Sequence, residues 1–185
     1  MQHPNILELS RSALLIIDMQ EAFRNNIKDF EKCAKRTAIA GQAARSLNIP
    51  IFVTEQYPRG LGHTVAEIAE VLAEDVQIIE KTSFSSCAAQ ACQTGLQATQ
   101  ATHIMVAGLE AHVCVNQTVH DLLTQNFKVH LLTDCITSRN KKDRKIGLEK
   151  MQLSGAIPSS VEMALFELLR DARHEQFKTI QGLIK

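Results

Sequence analysis

The chain repeats one pattern, in which a short apolar run is followed by a polar or glycine break and then by a longer amphipathic stretch. The first run, Ala13 to Ile17, is apolar at every position and ends at Asp18. Such runs are typical of strands that are buried on both faces of a parallel sheet. Similar runs predict further strands at 51–53, 76–79, 103–107 and 129–133, and a brief last one at 156–157.

The amphipathic stretches between these runs predict helices. They cover about 27–47, 65–72, 113–125, 141–154 and 161–170, and one more runs to about residue 99 from a cap at Thr82 or Ser83. Strands that alternate with helices imply parallel pairing through right-handed crossovers. We therefore predict one α/β domain over residues 1–185, a three-layer α/β/α sandwich with a roughly six-stranded parallel sheet and a Rossmann-like topology.

Composition narrows the class of protein. The formal net charge is zero, and no long basic run favours a nucleic-acid partner. No apolar stretch has the length of a membrane span, and the first residues do not read as a signal peptide. The five cysteines are odd in number and match neither a zinc ribbon nor a disulfide framework, so we expect free thiols and a cytoplasmic location.

Three reactive side chains fall at the predicted carboxyl ends of strands, where open parallel sheets bind their ligands. They are Asp18, Lys81 and Cys114. Each alone has an ordinary explanation, since an Asp can form a turn, a Lys can face solvent and a Cys can pack inertly. Together they could act as a nucleophile, a cation and a proton carrier. Lys81 and a helix N-terminus would favour a thiolate at Cys114, and Asp18 could carry protons. Cys87 is the main competing thiol.

The residues around these three positions resemble those of the isochorismatase-like cysteine hydrolase superfamily, and its uncharacterised isochorismatase-domain group in particular. The resemblance covers about residues 12–168. The stretches that carry it are 15–20 (LIIDMQ), 80–85 (EKTSFS) and 108–115 (GLEAHVCV).

The resemblance implies a catalytic triad of Asp18, Lys81 and Cys114. It also implies a cis peptide between Leu109 and Glu110, and an oxyanion hole from backbone amides near Glu110 and at Cys114. The expected reaction is hydrolysis of a small amide through a Cys114 thioester, with a small-molecule substrate, no cofactor and no membrane partner. Members of this family often assemble, so we expect a homo-oligomer.

This sequence differs from two branches of the superfamily, and the differences limit the reactions that we expect. Nicotinamidases bind a metal through histidines after the second strand, but here that segment contains His63 as its single histidine, so we expect no metal. Isochorismatases that cleave a vinyl ether lack the thiol. Cys114 therefore favours the amidase-like branch, and vinyl-ether hydrolysis remains an alternative.

Substrate contacts are expected from Gln20, Phe23, Tyr57, Phe84 and His112, although buried aromatic side chains are as often part of a core. Glu110 would oppose a thiolate unless it turns away or pairs with Lys81, and the sequence leaves this open. Two other functions also remain open. One is a nucleotide-binding or redox module, which would need a phosphate-binding loop that the sequence lacks. The other is a scaffold that acts through protein contacts.

Overall fold

A computed structural model describes residues 3–72 and 76–185. Within them, six parallel strands form one sheet in the order β3-β2-β1-β4-β5-β6. This doubly wound order confirms the predicted fold class. The strands are β1 (Ser12–Ile17), β2 (Ile51–Gln56), β3 (Ile78–Lys81), β4 (His103–Gly108), β5 (Lys128–Ile136) and β6 (Ile157–Ser159).

Helices cover both faces of this sheet. They are α1 (Phe30–Ser46), α2 (Pro58–Leu61), α3 (Ala66–Ala69), α4 (Gln90–Ala98), α5 (Asn116–Thr124), α6 (Lys141–Leu153), α7 (Val161–Leu169) and α8 (Phe177–Ile184). In the described residues, none of them is both long and apolar enough to cross a bilayer. Residues 172–185, for which the sequence pattern predicts no element, contain α8, whose buried Ile180 packs into the core beside α1 and α7.

The apolar run of β1 serves two cores at once. Leu14 and Ile16 pack with α1, α7 and α8 on one face, whereas Leu15 and Ile17 pack with α4, α5 and α6 on the other. Alternate side chains of a strand point to opposite faces, so a central strand of a three-layer fold must be apolar throughout. We call these two layers the α1-side core and the α5-side core.

Two predicted boundaries are wrong in ways that affect the site. The third strand is shifted toward the C-terminus, so Lys81 is its last residue instead of following it. The next helix does not begin at a Thr82 or Ser83 cap. A 3-10 turn, Ser86–Ala88, comes first, with the Ser85 hydroxyl accepting a hydrogen bond from the Cys87 N–H, and α4 starts at Gln90.

Candidate active site

Asp18, Lys81 and Cys114 meet at the carboxyl edge of the sheet. The neighbouring strands β1 and β4 lead to helices on opposite faces of the sheet. The edge between two such strands is the topological switch point, where open parallel sheets bind ligands. The Lys81 ammonium donates to Asp18 Oδ2 at 2.7 Å, and the Cys114 thiol lies near enough to the same carboxylate to affect its pKa. All three residues are at most 7% exposed.

Lys81 is held by four acceptors. Besides Asp18, its Nζ donates to Gln56 Oε1 at 2.8 Å and to the carbonyl oxygens of Ser83 and Phe84 at 3.2 and 3.1 Å. The two carbonyls explain why the predicted helix cap fails, because the backbone of this segment turns inward to bind the ammonium. The buried lysine therefore both neutralises Asp18 and shapes the loop that follows β3.

Burial sets the charge states of the acid and the thiol. Desolvation raises the pKa of Asp18 above the ordinary 3.8, and the Lys81 charge opposes this rise. Burial and the neighbouring Asp18 carboxylate raise the pKa of Cys114 to about 12, against the lowering effects of Lys81 and the Glu110 N–H. The expectation of a resting thiolate is therefore wrong. The thiol keeps its proton, and the adjacent carboxylate is placed to accept it.

Cys114 lies in a π-helical turn, Ala111–Val115, directly before α5. The peptide bond between Leu109 and Glu110 is cis, at the position that the resemblance implies. Gly108 precedes it with φ +139°, and a Cβ there would lie 2.2 Å from the Ile17 carbonyl oxygen. Only glycine allows β4 to approach β1 this closely. That approach brings the Cys114 turn beside Asp18.

Glu110 turns away from Lys81. Its Oε1 accepts from Arg139 Nε at 2.9 Å, and its Oε2 lies 3.4 Å from His112 Nδ1. His112 also contacts the Ser138 hydroxyl at 3.2 Å. The Glu110 carboxylate is thus paired with Arg139 and does not approach Lys81. The backbone N–H of Glu110 faces the Cys114 sulfur.

The sequence interpretation missed a set of buried hydroxyl groups beside Asp18 and Cys114. Thr54 donates to Asp18 Oδ1 at 2.8 Å and lies 3.2 Å from the Ser86 hydroxyl. Thr118 accepts from the Ser86 N–H at 2.9 Å and donates to the Cys114 carbonyl at 2.7 Å. The sequence pattern predicted a strand that ends at residue 53, so it did not indicate that Thr54 is buried in β2, directly opposite Ile17.

Two of the predicted substrate contacts have other roles in the structure. The Gln20 amide is fully buried and uses both ends on the backbone of the loop after β2, accepting from Gln56 N–H at 2.8 Å and donating to the Gln56 and Gly62 carbonyls. Its contact with substrate stays a prediction. Phe23 packs against the α1-side core, whereas Cys114 belongs to the α5-side core.

Tyr57 and Phe84 remain available to a ligand, since their side chains are 55% and 53% exposed. Tyr57 and Lys81 are among the residues that line a cavity of about 510 Å³ between the loops that follow β2 and β3. Contact of Tyr57, Phe84 and the half-buried His112 with substrate stays a prediction.

The other thiols lack the setting of Cys114. Cys87 is buried, its sulfur faces the Thr118 carbonyl at 3.9 Å, and burial raises its pKa to about 12. All five cysteines are unpaired. Cys114 lies near the Asp18 carboxylate, which the Lys81 ammonium holds at 2.7 Å.

The segment after β2 forms an internal hydrogen-bond network. His63 Nδ1 lies 3.0 Å from Glu55 Oε2, and the other oxygen of Glu55 accepts from the Thr64 N–H and hydroxyl. Among residues 3–72 and 76–185, no three or more His, Cys, Asp or Glu side chains are grouped as a metal would require.

Comparison with known proteins places this geometry in a family. A family model described as the isochorismatase domain matches residues 12–163. Isochorismatase domain-containing protein 2 of Homo sapiens is 40% identical over 175 residues, which cover 94% of this chain and 83% of the human protein.

Two solved structures are similar over nearly the whole chain. The structure of MAR1 ribonuclease from Caenorhabditis elegans has a TM-score of 0.93 and 40% identity, and the match covers 97% of this chain and 92% of the other. The YcaC gene product of Escherichia coli, described as an octameric hydrolase of unknown specificity, has a TM-score of 0.91 at 21% identity, with 100% and 91% covered, and shares the fold.

Proposed function

The chain belongs to the isochorismatase family, and from this premise we propose that it is a cysteine hydrolase that cleaves the C–N bond of a small amide. The observation that carries the proposal is the placement of the Asp18 carboxylate, which accepts from Lys81 at 2.7 Å and lies near enough to the Cys114 thiol to raise its pKa. A nucleophile beside a proton acceptor is the arrangement that activates a thiol for acyl transfer.

In the first half of the reaction, the Cys114 sulfur attacks the amide carbonyl carbon while Asp18 takes the thiol proton. The carbonyl π electrons move to oxygen, where backbone N–H groups near Glu110 and at Cys114 stabilise the charge. When the tetrahedral intermediate collapses, the C–N bond breaks and Asp18 returns the proton to the leaving nitrogen. An acyl thioester on Cys114 and a free amine result.

In the second half, Asp18 takes a proton from a water molecule that attacks the thioester carbonyl. The C–S bond then breaks, and the departing sulfur takes the proton back from Asp18 while the carboxylic acid leaves. Lys81 keeps the carboxylate charged between these steps because its ammonium is fixed against Oδ2. The raised pKa of Asp18 makes it a better base than an ordinary aspartate.

The decisive experiment screens small amides with the full chain and examines Cys114 by mass spectrometry for an acyl adduct. We expect an adduct on Cys114, none in Cys114→Ala, and turnover in Asp18→Asn that is lower by about 10²-fold or more. Cys87→Ala is the matched control and should react normally. Full turnover by Cys114→Ala would exclude covalent catalysis at this residue.

The same screen includes vinyl ethers and RNA, because one structural relative is described as a ribonuclease. Hydrolysis of either substrate without an adduct on Cys114 would overturn the proposed amide chemistry. A chain that binds small amides tightly but hydrolyses none of them would instead support the scaffold alternative.

We also propose that the protein works as a homo-oligomer, in line with the octameric assembly described for the YcaC relative. Light scattering should return a mass that is a multiple of 20.5 kDa. A single 20.5 kDa species at micromolar concentration would contradict this proposal.

A further inference from the structure

Two hydroxyl groups form a line of hydrogen bonds that ends at the Asp18 carboxylate. Thr54, on β2, and Ser86, in the 3-10 turn before α4, are both fully buried. Thr54 Oγ1 lies 2.8 Å from Asp18 Oδ1 and 3.2 Å from Ser86 Oγ. Lys81 occupies the other carboxylate oxygen, Oδ2, so each oxygen of Asp18 has a fixed partner.

The number of protons available determines which hydroxyl group donates in each of these hydrogen bonds. An ionised carboxylate only accepts, so the single Thr54 proton points at Asp18. The Thr54 oxygen can then only accept from its other neighbour, and Ser86 must supply that proton. Ser86 therefore donates to Thr54, and Thr54 donates to Asp18, which is the arrangement that favours the negative form of the carboxylate.

We propose that Thr54, backed by Ser86, is a positioning residue that holds Asp18 ionised and oriented toward the Cys114 thiol. This inference rests on the proposed function, because it assigns Asp18 the role of proton acceptor. Thr54 touches neither the substrate nor the sulfur in this account. It acts through the carboxylate alone.

The same unit is tied to the nucleophile from its other side. The Ser86 backbone N–H donates to Thr118 Oγ1 at 2.9 Å, and Thr118 donates to the Cys114 carbonyl at 2.7 Å. A movement of the turn that carries Cys114 is therefore coupled by hydrogen bonds to the hydroxyl behind Asp18. Buried networks of this kind are rigid when every member is satisfied.

Few charged groups compete with this effect. The ionisable groups that face Asp18 are Lys81 from β3 and the Cys114 thiol from the π-helical turn, while Thr54 and Ser86 are neutral. Glu55, the neighbour of Thr54 on β2, is engaged by Thr64 and His63. Removing the Thr54 hydroxyl thus changes the surroundings of Asp18 without changing any charge.

The test measures the rate at which iodoacetamide labels Cys114 as a function of pH. In the wild type, the rate should rise with pH as Asp18 ionises. In Thr54→Val, which keeps the shape of the side chain but removes its proton, the midpoint should move to higher pH by about one unit, since hydrogen bonds to charged groups are among the stronger ones. Thr54→Ser should restore the wild-type midpoint.

The matched control is Thr37→Val in α1. Thr37 is also a fully buried threonine, and its hydroxyl donates to the Cys33 carbonyl at 2.9 Å in the helix. This variant loses a comparable hydrogen bond away from Asp18, so its midpoint should stay at the wild-type pH.

An unchanged midpoint in Thr54→Val would overturn the inference. If Thr54→Val does not fold, Ser86→Ala takes its place, with a smaller upward shift expected and an unchanged midpoint counting against the inference. A failure of the proposed function looks different, because Cys114 in the wild type would then be labelled at a rate that Asp18→Asn leaves unaltered.

Discussion

At the level of single residues, the sequence predicted which side chains meet but not their charge states. Asp18, Lys81 and Cys114 were found because each follows or ends a strand, and parallel strands end at one edge. The raised pKa of Cys114 depends on how completely the sulfur is buried and on its contact with a carboxylate. Neither quantity is encoded in local sequence. The hydroxyl groups of Thr54 and Ser86 were missed for the same reason.

The buried ion pair gives the first residue-level prediction. Lys81→Met leaves the Asp18 carboxylate without its cation at a site where both side chains are 1% exposed, so we expect the free energy of unfolding to fall by about 3–5 kcal/mol. The double variant Asp18→Leu/Lys81→Met should recover much of this loss, since no uncompensated charge remains. Urea unfolding at pH 7 measures the free energy of unfolding of the single and the double variant.

Lys141→Met is the control for that comparison, because its contact with Asp29 is 3.7 Å long and lies on the surface. It should change the unfolding free energy by less than about 1 kcal/mol. Equal effects of Lys81→Met and Lys141→Met would mean that the triad contact is solvated in solution.

At the level of secondary-structure elements, the periodicity of apolar residues predicted the strands and most helices. The errors occur where side chains bind backbone. The Lys81 ammonium holds the carbonyls of Ser83 and Phe84, which prevents the predicted cap. A single-sequence pattern does not contain such contacts, and it does not distinguish the π-helical turn at Ala111–Val115 from an ordinary helix start.

Strands β4 and β5 carry a pair of buried histidines whose titration should affect stability. His103 Nδ1 lies 3.0 Å from His130 Nε2, and burial lowers the pKa of both rings, that of His130 to about 4 from an ordinary 6.5. The unfolded chain therefore binds more protons than the folded one between these values. The contribution of this uncharged pair to the free energy of unfolding is fully present above pH 6.5 and is lost as the pH falls toward 4.

We expect the free energy of unfolding to drop by roughly 3 kcal/mol from His130 between pH 7 and pH 4. Urea titrations across that range measure the slope. His130→Gln should flatten it, whereas the exposed His3→Gln should leave it unchanged. The same slope in the wild type and in His130→Gln would refute this assignment.

At the level of the whole molecule, the sheet order brings together three residues that lie 63 and 33 positions apart along the chain. That convergence could be predicted, because alternating elements and right-handed crossovers leave few topologies. The remaining features depend on three-dimensional burial. Glu110 binds Arg139 and Gln20 holds a loop, and no periodicity in the sequence indicates either contact.

The five thiols of the molecule allow the most direct test of the central claim, that Asp18 activates Cys114. Burial raises the pKa of all five thiols above the ordinary 9.0, so acidity alone does not single out any one of them as the most reactive. Cys114 differs in its position near the Asp18 carboxylate, which is fixed by Lys81 and can accept the thiol proton.

The measurement is the order in which iodoacetamide labels the cysteines near neutral pH, mapped by peptide mass spectrometry in the wild type and in Asp18→Asn. We predict that Cys114 is labelled first, at least about tenfold faster than any other cysteine, and that Asp18→Asn removes this lead. Labelling of Cys87 or Cys92 ahead of Cys114, or an equal lead in Asp18→Asn, would contradict the account.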